Sequence, residues 1–186
     1  MDVLVFMERF EAPQDLATRE LAAAKSRAAG ALLKRAMLHL DLQPWVPEKD
    51  SRGKPMARDG WHVSKSHCED HLAVAIGRAP LGVDVEPIRL ARVAGWDRVI
   101  NDAERDFIGE VDALSFTRLW TAKEAALKVS GQGIAELSLC RVMAPIEPDC
   151  LQLRHGDQPR RIHQHITTEH VISVCSPGFD RITWIG

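Results

Sequence analysis

Features of several specialised protein classes are absent from this chain of 186 residues. Its 24 basic residues are balanced by 26 acidic ones, and the net charge of −2 lacks the basic excess typical of nucleic-acid-binding domains. No apolar run reaches the length of a membrane span, and no basic segment precedes the apolar residues at the start of the chain, as a signal peptide would require. We therefore predict a soluble cytoplasmic protein with no nucleic-acid or membrane partner.

Paired cysteines are absent as well. Cys68, Cys140, Cys150 and Cys175 are scattered along the chain, and none belongs to a CxxC pair, the spacing that often indicates a structural zinc site. The sequence therefore predicts four reduced thiols and no zinc.

The most regular segment of the chain is a predicted helix that begins near Leu114 and ends before Gly131. Ala, Leu, Lys and Glu dominate its second half, which favours a helix, and Gly131 suits a left-handed cap. Trp120, Glu124 and Lys128 are four residues apart and share one face. This face is either an ordinary exposed Glu–Lys pair or a site that needs a carboxylate and an ammonium together.

Two acids lie upstream on a predicted buried strand, Leu81–Pro87. Asp84 and Glu86 are two residues apart and therefore point to the same side of the strand. Like charges on an apolar strand are costly unless a cation neutralises them, and carboxylates suit Mg²⁺, with Glu124 as a third ligand from the helix. The alternative is a strand end whose acids lie in water beside the break at Pro87.

The other predicted elements belong to an α+β fold, with helices against a strongly twisted sheet. A strand is predicted at Val3–Glu8 and a helix within Asp15–Leu40. Short β-prone segments follow, and the last five are predicted to form an antiparallel sheet: Trp61–Ser64, His71–Ile76, Leu137–Met143, Cys150–Arg154, Arg161–Ile166, His170–Cys175 and Arg181–Ile185.

Together, the segments GVDVEPI (82–88) and FTRLWTAKEAALKVSGQGI (116–134) resemble the two-part signature of the 4′-phosphopantetheinyl transferases, in the Sfp-like class. Their order and spacing are specific, and weaker matches extend the resemblance from about Lys25 to Ile185. The resemblance implies a monomer of two similar α/β lobes with pseudo-twofold symmetry, helices packed on twisted antiparallel sheets. It places coenzyme A binding in an N-terminal lobe over residues 1–80 and the metal site with the catalytic helix in a C-terminal lobe over residues 81–186.

The same resemblance assigns coenzyme A contacts outside the two segments. Arg35 in the first helix and Lys54 in a Gly-Lys-Pro segment are implied to hold the coenzyme. Ser66 and His67 are implied to contact its 3′-phosphate, which a hydroxyl and an imidazole suit. Two neighbouring residues depart from the family pattern, namely Lys65 and Cys68.

The implied reaction transfers the phosphopantetheine arm of coenzyme A to a serine of an apo acyl or peptidyl carrier protein and releases adenosine 3′,5′-bisphosphate. Asp84, Glu86 and Glu124 are predicted to hold Mg²⁺ at the pyrophosphate of the coenzyme. Glu124, directly or through water, is the predicted base for the serine hydroxyl, and Lys128 is predicted to stabilise the leaving bisphosphate. Lys123 is predicted to meet another phosphate or the partner protein.

Two other functions stay open from the sequence. One is a module that binds coenzyme A or a carrier without catalysis, favoured by the departures at Lys65 and Cys68. The other is a Mg²⁺-dependent phosphohydrolase in which water replaces the serine. Supporting roles are expected for Glu104 near the metal and for Arg89 and Arg92 towards an acidic partner.

Overall fold

The structure is a computed structural model, and it describes residues 2–13, 15–89, 99–109, 111–178 and 181–186. It is a mixed α+β fold. In chain order the elements are β1 (Asp2–Arg9), α1 (Thr18–His39), β2 (His62–His67), β3 (His71–Gly77), β4 (Gly82–Pro87), α2 (Asp102–Ile108), α3 (Ala113–Ser130), a 3₁₀ helix (Ile134–Leu139), β5 (Cys140–Val142), β6 (Cys150–His155), β7 (Gln158–Ile166), β8 (His170–Cys175) and β9 (Arg181–Ile185). Among the helices described, none has the length and apolar character needed to cross a bilayer.

The strands form two sheets, one in the order β2-β3-β1-β9 and the other in the order β4-β8-β7-β6-β5. All neighbours are antiparallel except β1 and β9, which run parallel from Asp2↔Arg181 to Phe6↔Ile185. The prediction that Arg181–Ile185 joins the preceding strands is therefore wrong. Instead, β9 pairs with the edge of β1 opposite β3, and its side chains Ile182 and Trp184 pack against the core between the sheets.

Successive side chains of a strand point to opposite faces of its sheet, and the buried side chains form three hydrophobic cores. In β3, Leu72, Val74 and Ile76 face α1, whereas Ala73 and Ala75 face the second sheet. On the other side, α3 covers the second sheet with a face of small and apolar residues. The layers therefore run α1, first sheet, second sheet, α3, and the edge strands β2 and β4 lie beside each other between the two long helices.

Two element boundaries differ from the predictions. The strand predicted at Trp61–Ser64 extends to His67, because its backbone stays paired with β3 up to His67↔Leu72. The first half of the segment predicted as a strand at Leu137–Met143 is part of the 3₁₀ helix. The predicted end of α3 is confirmed, since Gly131 caps the helix at φ 75° in the left-handed region that glycine tolerates best.

Candidate active site

The site begins with a close approach of helix α3 to strand β4 at Gly82. A Cβ atom at this position would lie 2.1 Å from the carbonyl oxygen of Ala125 and 2.8 Å from Cβ of Lys128. Only glycine lets the two backbones come this close. Because of this contact, the face of α3 that carries Glu124 and Lys128 lies directly over the acids of β4.

Asp84 is the centre of the polar contacts on this face. Its side chain is 5% exposed, and its Oδ1 lies 2.7 Å from Lys128 Nζ and accepts a hydrogen bond of 2.7 Å from Ser66 Oγ. Lys128 Nζ also donates to Ser66 Oγ at 3.0 Å and to the carbonyl oxygen of Val83 at 2.8 Å. Oδ2 of Asp84 is buried without a hydrogen-bond partner. A buried carboxylate oxygen left in this state is costly unless a ligand engages it.

The same buried environment raises the pKa of Glu86 and of Glu124. Burial and the charge of Asp84 raise the pKa of Glu86 to about 7, against a hydrogen bond from Trp120 that lowers it. Burial and the charge of Asp84 also raise the pKa of Glu124. Asp84 and Glu86 lie two residues apart in the continuous strand β4, so the prediction that they share a face is confirmed.

The three carboxylates do not form a closed site in this conformation. Asp84, Glu86 and Glu124 are not among the sets of three donor atoms that lie within 4.8 Å of one another in the described residues. Lys128 supplies the compensating positive charge at Asp84 instead. The simple prediction of three acids around one ion therefore needs correction: Asp84 anchors the site, and the two glutamates stand further out.

This arrangement still fits Mg²⁺. The donors are all carboxylate oxygens, and Asp84 Oδ2 is an open ligand position in a buried setting. Mg²⁺ in proteins typically takes one or two carboxylates and completes its octahedron with water and substrate phosphates. Asp84 with one glutamate would meet that requirement.

A basic cleft of about 270 Å³ opens beside the acids, between β2, α3 and the turn before β2. Its basic lining consists of Lys49, Arg52, Lys54, Lys65, Lys128 and the half-buried His62. Among the described residues that line the cleft, one is acidic, Glu124. The near-zero net charge of the chain thus conceals a local positive field suited to phosphates.

The cleft continues under helix α1 into a second cavity of about 490 Å³, which shares Lys49, Ser64 and Lys65 with it. Arg27, Gly30 and Lys34 line this cavity, and their spacing of three and four residues places them on one face of the helix. The space above Gly30 is open. Sequence reasoning did not single out Lys34, Lys49, Arg52 or Ser64, although the spacing of Lys34 from Arg27 and Gly30 carried the signal.

Lys54, for which a coenzyme contact is predicted, lines the basic cleft. Its methylene groups pack on Gly131, where an added Cβ would meet Lys54 Cδ at 2.9 Å, and its Nζ donates to the carbonyl oxygen of Val129. Lys54 therefore also caps the C-terminus of α3, where the helix carbonyls favour a cation.

Arg35 does not reach either cavity. Its guanidinium pairs with Glu8 on β1. One residue corresponds to about 100° around a helix, so Arg35 points away from the face that carries Lys34. The prediction of a coenzyme contact at Arg35 is not supported by this geometry.

The side chains of Ser66 and His67 lie on opposite faces of strand β2. Neighbours on a strand point to opposite faces, so Ser66 faces Asp84 while His67 faces α1 in a separate cavity that includes Lys25 and Glu86. The expectation that both contact one phosphate came from the family resemblance. In the structure Ser66 orients the acid, and Ser64 accepts a hydrogen bond of 3.1 Å from the Val83 amide.

Lys123 and Glu104 are buried partners, which corrects both expectations for them. Lys123 is 2% exposed and Glu104 is 1% exposed, and Lys123 Nζ lies 2.8 Å from Glu104 Oε1. Nζ also donates to the carbonyl oxygen of Val99 at 2.5 Å, and Glu104 accepts from the Val142 amide at 2.8 Å. Burial lowers the pKa of Lys123, against the pull of Glu104. The pair fastens α2 to α3 and contacts neither the acids of β4 nor the basic cleft.

Of the two arginines expected to meet a partner, Arg89 pairs with Glu69 at 2.5 Å on the surface. Arg92 lies outside the described residues.

Gly82→Ala should disrupt the site from a position that carries no functional group. The new Cβ would collide with the Ala125 carbonyl, so β4 and α3 must separate, at a cost of about 1–3 kcal/mol for an overpacked contact. We expect a lower midpoint in urea denaturation and weaker magnesium binding in titration calorimetry. Gly30→Ala is the matched control, because the space above Gly30 is open and alanine is favoured inside a helix. Unchanged magnesium affinity in Gly82→Ala would show that the close approach does not position Asp84.

The fold and the site define an α+β protein with a carboxylate cluster suited to a divalent cation beside a basic cleft. A family model described as the 4′-phosphopantetheinyl transferase superfamily matches residues 80–175, and the chain belongs to this family. The match covers β4, the acids and the whole of α3.

Curated relatives agree with the family. The chain is 31% identical to the 4′-phosphopantetheinyl transferase psf-1 of Bacillus pumilus over 127 residues, which cover 63% of this chain and 54% of the relative. It is 32% identical to the 4′-phosphopantetheinyl transferase HetI of a Nostoc species over 141 residues, 67% of this chain and 60% of the relative. A third, the 4′-phosphopantetheinyl transferase gsp of Aneurinibacillus migulanus, is 28% identical over 90 residues, 46% of this chain and 38% of the relative. The chain thus spans about half the length of the curated relatives it matches.

Proposed function

We propose that the protein transfers the 4′-phosphopantetheine moiety of coenzyme A to a serine of an apo acyl or peptidyl carrier protein, with release of adenosine 3′,5′-bisphosphate. The observation that carries the proposal is the 2.7 Å contact between Asp84, one oxygen of which is unpartnered, and Lys128, which lines the basic cleft. A diphosphate with a divalent cation satisfies both charges at once. Family membership and the printed names of the relatives support the reaction class.

In this proposal Asp84 binds Mg²⁺ through its open oxygen, together with Glu86 or Glu124. The bound ion would neutralise charge that develops on the phosphate oxygens as the P–O bond breaks. Lys128 contacts Asp84 and lines the basic cleft, and in the proposal its ammonium stabilises the leaving bisphosphate as a point charge. Ser66 keeps Asp84 in one orientation through its hydrogen bond.

Glu124 is the proposed base for the incoming serine hydroxyl. It lines the cleft next to Lys128, and its raised pKa makes it a better proton acceptor than an ordinary glutamate at neutral pH. The proton moves from the serine oxygen to Glu124, directly or through one water, as that oxygen attacks the phosphorus. Lys123 has no part in this step because its side chain is buried against Glu104.

The coenzyme is proposed to lie along the two connected cavities, with Lys54 and Lys65 near its pyrophosphate, and to extend under α1 so that its 3′-phosphate enters the cavity of Lys25 and His67. The proposed division into lobes 1–80 and 81–186 with pseudo-twofold symmetry gains support from the order of the layers, although β9 returns to the first sheet. A monomer in the cytoplasm remains part of the proposal.

The test incubates the full chain with coenzyme A, Mg²⁺ and a panel of apo carrier proteins, followed by intact-protein mass spectrometry and chromatography of the nucleotides. A carrier that gains the mass of one phosphopantetheine supports the transferase. Bisphosphate released without a modified carrier would instead support a phosphohydrolase. Neither product, with coenzyme binding retained, would support a module that binds without catalysis.

His67→Ala should weaken binding of coenzyme A more than binding of dephospho-coenzyme A. His67 lies in a cavity with Lys25, and burial together with Lys25, Lys128 and Lys65 lowers its pKa, so at neutral pH it is an uncharged donor among cations. Loss of one such hydrogen bond to a phosphate corresponds to about tenfold in affinity. Titration calorimetry with both ligands measures the difference, and His163→Ala, half-buried in the second sheet, is the control. Equal weakening for both ligands would place the 3′-phosphate elsewhere.

A further inference from the structure

A second set of metal-binding side chains lies outside the acid site, at the turn between β2 and β3. Three donor atoms converge on Oδ1 of Asp70: His170 Nε2 at 2.8 Å, His71 Nδ1 at 3.2 Å and Cys68 Sγ at 3.8 Å. The ligand atoms of Cys68, Asp70 and His170 all lie within 4.8 Å of one another. The rings of His71 and His170 are in contact, with centroids 3.9 Å apart and planes tilted by 41°.

The donors are held by the fold rather than by a loose surface segment. The Cys68 amide donates to the carbonyl oxygen of His71 at 2.9 Å, which closes the turn, and the Phe10 amide donates to the carbonyl oxygen of Asp70 at 2.6 Å. His170 begins β8 in the second sheet, where it is paired with Pro87 of β4. Cys68 is 8% exposed and His170 is 3% exposed, so both donors are desolvated in advance.

The chemistry of this set differs from that of the acid site. A thiol, two imidazoles and a carboxylate are the ligands that Zn²⁺ takes in tetrahedral sites, whereas Mg²⁺ prefers oxygen alone. Nδ1 of His71 is buried and lies 3.2 Å from Oδ1 of Asp70, so His71 is the candidate fourth ligand, although it is not part of the set whose ligand atoms all lie within 4.8 Å of one another. Zinc bonds of about 2.0–2.3 Å bring ligand atoms to within about 4 Å of one another, so small side-chain rotations complete the site.

We propose that Cys68, Asp70, His71 and His170 form a zinc site that joins the β2–β3 turn of the first sheet to the start of β8 in the second. Binding releases the Cys68 thiol proton to solvent, and the thiolate, the two neutral imidazoles and the carboxylate complete the coordination. Its role is structural. Cys68 and Glu86 line the same cavity, so the metal holds the β2–β3 turn next to the strand that carries the acids.

The test uses Co²⁺ as a spectroscopic probe for zinc on the full chain after chelator treatment. Wild-type protein should bind one equivalent and show both the visible bands of tetrahedral cobalt and the ultraviolet charge-transfer band of a cobalt thiolate. Zn²⁺ should displace the cobalt, and excess Mg²⁺ should not. Cys68→Ser should remove the thiolate band and weaken cobalt binding by more than about a hundredfold, since even partners outside the ligand shell can cost that much.

Cys150→Ser is the matched control, because Cys150 is also buried and lies beside two carboxylates, Glu147 and Asp149. It should keep the full spectrum. His71→Ala, at the least buried imidazole of the site, should weaken cobalt binding at least about tenfold with an unchanged circular dichroism spectrum. The proposal is overturned by a wild-type chain that gives no thiolate band, by a band that survives in Cys68→Ser, or by one that disappears in Cys150→Ser. The readout does not involve transferase activity, so it is independent of the proposed function.

Discussion

Asp84→Ala should reduce magnesium-dependent transfer by more than about a thousandfold while the chain stays folded, since loss of several kcal/mol of metal and phosphate stabilisation corresponds to a factor of that size. The variant removes the open oxygen that we propose binds the cation. It also removes the partner of Lys128 and Ser66. Both groups then lose the contact that fixes them beside the cleft. Transfer is measured by the mass gain of the carrier, and magnesium binding by titration calorimetry.

Two variants separate this effect from a general loss of structure. Asp84→Asn keeps the shape and an acceptor for Ser66 but not the charge, and it should be nearly as inactive as Asp84→Ala. Asp157→Ala removes an exposed acid in the turn between β6 and β7, and it should leave transfer unchanged. Undiminished transfer by Asp84→Ala with normal circular dichroism would mean that this carboxylate does not hold the metal.

Lys123→Met should lower the free energy of unfolding by about 3–5 kcal/mol, the usual cost of removing one partner of a buried ion pair. Glu104 would remain, almost completely buried, with amide donors from Asn101 and Val142 but no compensating charge. Urea denaturation followed by circular dichroism measures the change. Lys34→Met, in a more exposed part of α1, should change the free energy of unfolding by less than about 0.5 kcal/mol.

The double variant Lys123→Met/Glu104→Gln distinguishes a structural pair from a coenzyme contact. Removing both charges should restore a large part of the lost stability, because no unpaired charge remains in the interior. Coenzyme affinity of the folded double variant should match that of the wild type. If Lys123→Met instead folds normally and binds coenzyme A poorly, the lysine contacts the ligand and the geometry described above does not represent the functional state.

The spacing of residues within single segments was enough to predict helix α3 and strand β4, which carry the candidate active site. The spacing of Trp120, Glu124 and Lys128 depends only on the helix period, and the common face of Asp84 and Glu86 depends only on the strand period. Both follow from backbone geometry within one segment, so they were readable from the sequence. The glycine before these acids was part of the recognised signature, but its purpose, a contact with the Ala125 carbonyl, became visible only with α3 in place.

The tertiary structure decided which residues form ion pairs and which strands pair, because these partners are far apart in the chain. Arg35 pairs with Glu8, Lys123 with Glu104, and β9 with β1, and no local spacing distinguishes these partners from others of the same charge or pattern. The side chains of the proposed zinc site come from Cys68–His71 and from His170, which is about a hundred residues away in the chain and meets them where the two sheets pack. The sequence by itself determined which faces of the helices and strands carry charge. The packing of these elements determined which charges meet. The energy of an ion pair depends on the distance between the charges and on their burial, and neither can be read from positions in the sequence.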